Sequence, residues 1–214
     1  MSESQSKGKG RRGRQWFSPP GGGIYSSLIL RPAIAPTEAL KIPLLTAVVV
    51  VKTVRSLSDV KPTIKWPNDI LIGAKKLAGI LTEISADTDA IDYVVVGLGV
   101  NINTPSFPPD IQEIATSLFI ESGSHLPRAL FLRQYLAWYE HYYRIFTTRG
   151  FEPVMQEWKA SAPLIGHMIS VKMIDRTIEG EVTDIDKDGA LILMDAGGES
   201  HRIYSGDITY RQGP

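Results

Sequence analysis

Cysteine is absent from this chain of 214 residues. The protein can therefore form no disulfide, use no thiolate nucleophile and build no cysteine-ligated zinc site. Histidine is scarce, and its four copies are too scattered to suggest a set of metal ligands; they are His125, His141, His167 and His201. We expect no metal held mainly by protein side chains, whereas a Mg²⁺ ion that travels with a nucleotide would leave no such pattern.

Excess charge and long hydrophobic runs are missing as well. Lys and Arg number 23 and so do Asp and Glu, so the formal net charge is zero and the chain as a whole is not suited to binding a polyanion. Any anion site must then be local. No apolar run reaches the ~20 residues that cross a bilayer, and the start lacks a signal-peptide pattern. The sequence thus predicts a cytoplasmic protein without a membrane segment.

Strand and helix patterns alternate in the first part of the chain. The stretch "GIYSSLILRP" predicts a strand that stops at Pro32, and residues 37–57 predict a buried helix whose first turns are kinked by Pro43. Three strand-like runs follow, at residues 63–72, 75–84 and 92–103. Together these elements favour a sheet with helices on one side.

A stronger helical pattern begins at Pro127 and carries an aromatic and aliphatic stripe that we interpret as core packing. Its members are Phe131, Tyr135, Trp138, Tyr142 and Ile145. The last ~50 residues consist of short alternating segments joined by turns, which is typical of a small β-barrel. We therefore predict an α+β protein, with a mixed β-sheet backed by helices in residues 1–163 and a small barrel in residues 164–214.

The stretch "SKGKGRRGRQW" places Gly8, Gly10 and Gly13 at the spacing of a dinucleotide-binding fingerprint. That fingerprint must follow a strand and open a helix. Only seven residues precede Gly8, and the following "QWFSPPGGG" cannot begin a regular helix. The dinucleotide interpretation is therefore excluded.

The same stretch suits a loop that folds over an anion. Glycine lets backbone N–H groups approach a phosphate closely, and Arg11, Arg12 and Arg14 supply planar bidentate donors. Two alternatives remain open at this point: a solvated charge run, which is the commoner case, and a nucleic-acid patch, for which one short stretch in a neutral chain is thin support.

Two further motifs carry polar groups between or beside strands. In "KWPND", Lys65 suits a phosphate, and Asn68 and Asp69 suit the polar edges of a base or ribose, although an ordinary turn would use the same residues. In "KKLAGILTE", a lysine precedes an apolar strand in which Gly79 would let a ligand lie against the backbone.

In "GLGVNIN", Gly97 and Gly99 occupy alternate positions of a strand and so share one face with Asn101 and Asn103. Two glycines on one face indicate room for something flat beside the sheet, and a close helix crossing is a comparable explanation.

The ordered series "GKGRRGRQW", "KWPNDILI", "KKLAGILTE", "GLGVNIN" and "ATSL" closely resembles the biotin protein ligase family, and the terminal barrel resembles that family's SH3-like domain. The resemblance implies a class II synthetase-like fold and a two-step reaction. Biotin and ATP, with Mg²⁺ on the nucleotide, give biotinyl-5′-AMP, and the biotinyl group then passes to a lysine of a biotin carboxyl carrier domain of a carboxylase. It also allows a homodimer.

The resemblance assigns roles by motif. It implies Lys76 and Arg11 as catalytic residues. The biotin-binding residues that it implies are Gln5, Lys9, Gly10, Arg11, Lys76, Gly79, Gly97 and Gly99. Those implied for ATP and the adenylate are Arg11, Arg14, Trp16, Lys65, Asn68, Asp69 and Asn101, with Trp16 near the adenine.

Two departures from the family pattern affect these expectations. Lys9 stands where the family usually has arginine, which keeps the charge and loses the bidentate fork. The family usually has further residues before the basic loop, including a biotin-contacting Ser/Thr-Thr-Asn segment, so we expect an uncovered sheet edge and an activity reduced or lost by truncation. The winged DNA-binding domain of bifunctional members is not seen, so no repressor activity is expected.

Two other functions remain as alternatives. A lipoate or octanoate transferase would share the sheet without this arginine-rich loop and barrel. A truncated, non-catalytic protein that binds nucleotide or nucleic acid would use the same basic residues without turnover.

Overall fold

The computed structural model describes residues 1–210, which form two five-stranded sheets, a short hairpin and four α-helices. The strands of the hairpin and of the first large sheet are β1 (Gly8–Lys9), β2 (Gln15–Trp16), β3 (Gly23–Leu30), β4 (Thr63–Lys65), β5 (Asp69–Ile72), β6 (Lys75–Ala86) and β7 (Ile91–Asn101). The helices are α1 (Ile42–Leu57), α2 (Leu118–Ser122), α3 (Arg128–Arg149) and α4 (Glu152–Ser161). The strands of the second large sheet are β8 (Met168–Lys172), β9 (Thr177–Ile185), β10 (Leu191–Met194), β11 (Ser200–Ile203) and β12 (Asp207–Tyr210).

The first large sheet has the order β3-β7-β6-β5-β4, and all its strand pairs are antiparallel. The α+β class with helices backing a sheet is confirmed, and the sheet is antiparallel rather than mixed, with one isolated parallel bridge between Lys76 and Ala115. On the outer side of β3, Ser2 forms a bridge with Tyr25 and Nη1 of Arg128 donates to the carbonyl of Gly23, while Ile29 on that strand is 57% exposed.

The prediction of one strand over residues 63–72 is wrong. The segment folds back on itself as the hairpin β4–β5, in which Lys65 pairs with Asp69. Pro67 lacks the N–H that an interior strand position needs, so the chain turns there. This turn brings the polar residues of "KWPND" to the end of the sheet.

Helix α1 explains why a valine-rich run is helical. Val48, Val49, Val50 and Val51 are each at most 1% exposed, because the helix is packed between the strands and the helices α3 and α4. Burial on all sides overrides the strand preference of valine. The expected kink at Pro43 is absent: residues Pro36–Lys41 form a separate 3-10 turn, and Pro43 lies in the first turn of α1, where its missing N–H costs nothing.

The buried stripe of α3 differs from the predicted one. The buried members are Phe131, Tyr135, Tyr139, Tyr142 and Phe146, whereas Trp138 and Ile145 are only partly buried at its margin. Three predicted members are buried, and at the other two the buried face lies one position further along, at Tyr139 and Phe146. The predicted set advances by about 3.5 residues per step, which is less than the ~3.6 residues of a helical turn, so it drifts off the buried face.

The C-terminal sheet has the order β11-β10-β9-β8-β12 with antiparallel pairing throughout. The short alternating segments of this region form these five strands, and the SH3-like unit that they build is called the barrel. In the described part of the chain, no helix is long and apolar enough to cross a membrane.

Replacing Leu45 by alanine should destabilise the protein by about 2 to 5 kcal/mol, because its fully buried side chain would leave a cavity between α1 and its neighbours. Leu136→Ala is the matched control: this leucine is 44% exposed and its loss should cost under about 0.5 kcal/mol. Urea unfolding of both variants checks the difference, and equal losses would contradict the assignment of the core.

Candidate functional site

A cavity of about 450 Å³ lies over one face of the first sheet. Its floor is formed by β3, β7 and β6, where Gly99 pairs with Tyr25 on one side and Gly79 on the other, and the next row joins Ser27, Gly97 and Leu81. The paired glycines leave a flat strip of backbone in the middle of the sheet. The expected room beside the glycines therefore exists.

The indole of Trp16 lies on this strip. A Cβ atom added at position 99 would stand 2.6 Å from the ring, and one at position 79 would stand 3.2 Å from it. The alternative explanation of the glycines, a close helix crossing, is wrong, because the group that needs the space is an indole. Lys76 Nζ lies 5.5 Å from the centre of the same ring, which is within the range of a cation–π contact.

Lys76 is held from several sides. Its Nζ is 2.7 Å from Oδ1 of Asp69. Its backbone N–H donates to the carbonyl of Ile114, and its carbonyl accepts from the N–H of Thr116. The "ATSL" motif thus fixes the start of β6, where this lysine enters the cavity.

Arg11 is fixed through the turn of "KWPND". Its Nη1 donates to Oδ1 of Asn68 at 2.7 Å, and Nδ2 of Asn68 donates to the carbonyl of Ile80 at 2.9 Å. Burial lowers the pKa of Arg11 from its usual value, and the negative charge of Asp207 opposes this shift. The guanidinium is therefore a partly desolvated cation aimed at the cavity, where an anion would be bound more strongly than in water.

The glycines of the basic loop allow it to form a tight hairpin. Gly8 pairs with Trp16, and a Cβ there would clash with the Trp16 carbonyl. Gly13 has a φ of +75° and Arg12 a φ of +55°, so the loop turns through two residues in the left-handed region. No helix follows, in agreement with the exclusion of a dinucleotide fold.

The loop is tied to the C-terminal barrel. Nη1 of Arg12 donates to the carbonyl of Lys172 at 3.1 Å and lies 3.2 Å from Asp207, the first residue of β12. Arg14 also forms an ion pair with Asp207. Arg14, expected on the nucleotide side, is therefore engaged with the barrel in this structure.

The cavity brings together most of the residues singled out from the sequence. It is lined by Gln5, Lys9, Gly10, Arg11, Trp16, Asn68, Lys76, Gly79, Gly97 and Gly99. Four others are not in its lining: Arg14, Lys65, Asp69 and Asn101. Of these, Asp69 reaches the cavity through its ion pair with Lys76, and Lys65 pairs with Asp69 across the β4–β5 hairpin. Their individual roles stay predictions.

Asn101 is buried at the end of β7. Its Nδ2 donates to the carbonyl of Thr116 at 3.0 Å, while its Oδ1 is buried without a hydrogen-bond partner. An unsatisfied buried oxygen is costly, so this amide can accept a hydrogen bond from a bound group.

Sequence reasoning missed two acidic residues that shape the site. Glu83 lines the cavity on the same face of β6 as Gly79 and Leu81, so strand alternation from Gly79 could have identified it. Asp207 holds the basic loop from a different domain, and no local pattern points to it.

A possible group of metal ligands lies in the barrel, outside the cavity lining. Asp195, Glu199 and His201 have ligand atoms within 4.8 Å of one another, and Asp195 already accepts hydrogen bonds from the backbone of its own turn, at Gly197 and Glu199. We therefore interpret Asp195 as the residue that closes the β10–β11 turn.

Comparison with known proteins agrees with this architecture. Residues 1–101 match the Biotin/lipoate A/B protein ligase family, and residues 164–211 match the Biotin protein ligase C terminal domain. A solved biotin protein ligase from Aquifex aeolicus, in complex with biotin and ATP, superposes with a TM-score of 0.85 at 27% identity, covering 99% of this chain and 87% of that one. Fold and site thus define a ligase-type α+β domain followed by a barrel.

Relatives of similar sequence identify the family to which this chain belongs. A biotin–[acetyl-CoA-carboxylase] ligase of Paracoccus denitrificans is 30% identical over 92% of this chain and 84% of its own length. The bifunctional ligase/repressor BirA of Bacillus spizizenii is 40% identical over 97% of this chain. This chain belongs to the biotin protein ligase family, and it spans 64% of the length of that bifunctional relative.

Replacing Gly99 by alanine should push the Trp16 indole off the sheet, because the added methyl group would stand 2.6 Å from the ring. We expect stronger quenching of tryptophan fluorescence by acrylamide. Gly97→Ala is the control, since its methyl group would face Leu81 and no tryptophan. Equal quenching in the two variants would contradict the placement of Trp16.

Proposed function

We propose that this protein activates biotin with ATP and transfers the biotinyl group to a lysine of a biotin carboxyl carrier domain. The observation that carries the proposal is the arrangement of Lys76 and Arg11 on the cavity wall beside the glycine strip. In the first step a carboxylate oxygen of biotin bonds to the α-phosphorus of ATP and pyrophosphate leaves. In the second, the lysine amine bonds to the activated carbonyl carbon, AMP leaves and the amine loses a proton.

The first step brings a carboxylate and a triphosphate together, so the main task of the protein is to neutralise and orient negative charge. Lys7, Lys9, Arg11 and Lys76 all line the cavity. The ion pair between Lys76 and Asp69 keeps this lysine in place, and a substrate carboxylate or phosphate would take over that contact. No protein nucleophile is required.

The flat strip suits the fused rings of biotin. Gly97 leaves part of the strip without a side chain, and the Trp16 indole, which covers the strip at Gly79 and Gly99, would offer its apolar ring to the biotin rings. Trp16, expected near the adenine, thus lies on the proposed biotin floor in this structure. The basic loop would cover the adenylate and keep water from the mixed anhydride.

The remaining nucleotide contacts are part of the proposal. Lys65, Asn68 and Asp69 would lie toward the phosphates and ribose, with Arg14 and Asn101 also on the nucleotide side. A Mg²⁺ ion would be held mainly by the phosphates, with Asp69 as the adjacent carboxylate. We further propose that residues 1–163 and 164–214 form two domains, that the protein forms a homodimer and that it is located in the cytoplasm.

The decisive experiment is exchange of labelled pyrophosphate into ATP. Exchange that depends on biotin supports the proposed function, and exchange only with lipoate or octanoate would indicate the alternative in which one of these acids is activated instead. Absence of exchange with any of these acids, together with salt-sensitive retention on DNA, would indicate a binding protein. Because the chain spans 64% of its bifunctional relative, the absence of repressor activity stays a prediction.

Lys76→Ala should abolish pyrophosphate exchange while ATP still binds, because the positive charge at the reacting carboxylate and α-phosphate is removed. Lys75→Ala is the matched control, since the Nζ of this neighbouring lysine donates to the carbonyl of Gln112 instead. Exchange rates and calorimetric ATP titrations of both variants test this. Full exchange by Lys76→Ala would remove its catalytic role.

Arg11→Ala should still form some adenylate but release it, because the loop loses its bond to Asn68. Released biotinyl-5′-AMP would label lysines of an added bystander protein such as serum albumin, detectable by streptavidin blot. Labelling confined to the acceptor lysine would count against retention by this arginine.

A further inference from the structure

The barrel touches the proposed active site at a second place, the turn between β9 and β10. The indole Nε1 of Trp66 donates to the carbonyl of Gly189 in this turn at 3.2 Å. Trp66 is 2% exposed, so neither partner can exchange this bond for one to water. The bond joins the "KWPND" turn of the first domain to the barrel.

The β9–β10 turn is itself held in one conformation. Oδ1 of Asp186 accepts from the backbone N–H groups of Asp188 and Ala190 at 2.8 and 3.0 Å. Gly189 has a φ of +82°, and a Cβ there would clash with Leu44 of α1. The turn therefore offers the Gly189 carbonyl from a fixed position close to α1.

Trp66 is two residues from the group that holds Arg11. Asn68 accepts from Arg11 at 2.7 Å through its side chain, and its backbone carbonyl accepts from Ile80 at 3.0 Å. A cavity of about 200 Å³, lined by Arg11, Trp66, Asn68 and Gly189 among others, lies at this junction. Because packing is incomplete there, specific hydrogen bonds must fix the position of the turn.

We propose that Trp66 is a positioning residue, which transmits the placement of the barrel turn through Asn68 to Arg11. The inference rests on the proposed function, since Arg11 is taken to bind the reacting groups. On this view the barrel sets the location of the arginine as well as holding the basic loop at Asp207.

The test compares Trp66→Phe with Trp158→Phe. Both tryptophans are at most 2% exposed, and Nε1 of Trp158 has no hydrogen-bond partner, so the control removes a similar ring without removing a bond. We expect kcat for pyrophosphate exchange to fall about threefold to tenfold in Trp66→Phe, as for the loss of one hydrogen bond. The KM values of both variants should change less than about twofold, and so should the kcat of Trp158→Phe.

A second background shows whether the effect passes through Asn68. In an Asn68→Ala protein the link to Arg11 is already cut, so adding Trp66→Phe should change kcat less than about twofold. A merely structural role would lower the melting temperature without this dependence on Asn68. Unchanged kcat in Trp66→Phe, or an equal fall in both backgrounds, would overturn the inference.

Trypsin cleavage of residues 7–14 gives a measurement that does not require activity. Cleavage of the native protein within this loop should be faster in Trp66→Phe than in wild type or Trp158→Phe, because Arg11 is less firmly held. If wild type catalysed no exchange but cleavage rose in this way, the proposed function would fail and the positioning role would stand. Equal cleavage in all three proteins would overturn the positioning role.

Discussion

Positive charge concentrated on one side of a sheet is the constraint on which this structure depends. The chain has no formal net charge, yet four cationic side chains line one cavity. Like charges repel more strongly where water is excluded, so polar partners are needed to keep them in place. Asp69 holds Lys76, Asn68 holds Arg11, and Asp207 holds Arg12 outside the cavity. Held in place by these partners, the cationic groups that line the cavity can bind an anion.

The barrel takes part in this arrangement from two directions. Asp207 at the start of β12 binds the basic loop, and Gly189 in the β9–β10 turn binds Trp66 beside the "KWPND" turn. The loop and the turn meet at the bond between Arg11 and Asn68. The C-terminal sheet thus contacts both the loop that carries the guanidinium and the turn that holds it, which gives this sheet a physical role at the proposed active site.

The strands β3, β6 and β7 and the long helices α1 and α3 were predictable, because each depends on the periodicity of apolar residues or on nearby proline and glycine. The shorter helices α2 and α4 and the last strand β12 were not predicted. The errors have local causes. The strand pattern continues through Pro67, where the chain turns, and the apolar pattern of α3 indicates positions 138 and 145 instead of Tyr139 and Phe146. The glycines at 97 and 99 correctly indicated room on one sheet face, but nothing in their spacing identifies the Trp16 indole as the group that lies there.

The sequence by itself determined the membership of a family, the set of basic and glycine residues at the site, and the α+β class with short strands at its C-terminal end. Tertiary structure alone decided which residues hold these groups. Arg12 meets Asp207 across 195 positions of the chain, and Trp66 meets Gly189 across 123. Such contacts depend on how whole elements pack, whereas sequence patterns report preferences over a few neighbouring residues, so the partners of a charged group become known only when the chain is folded.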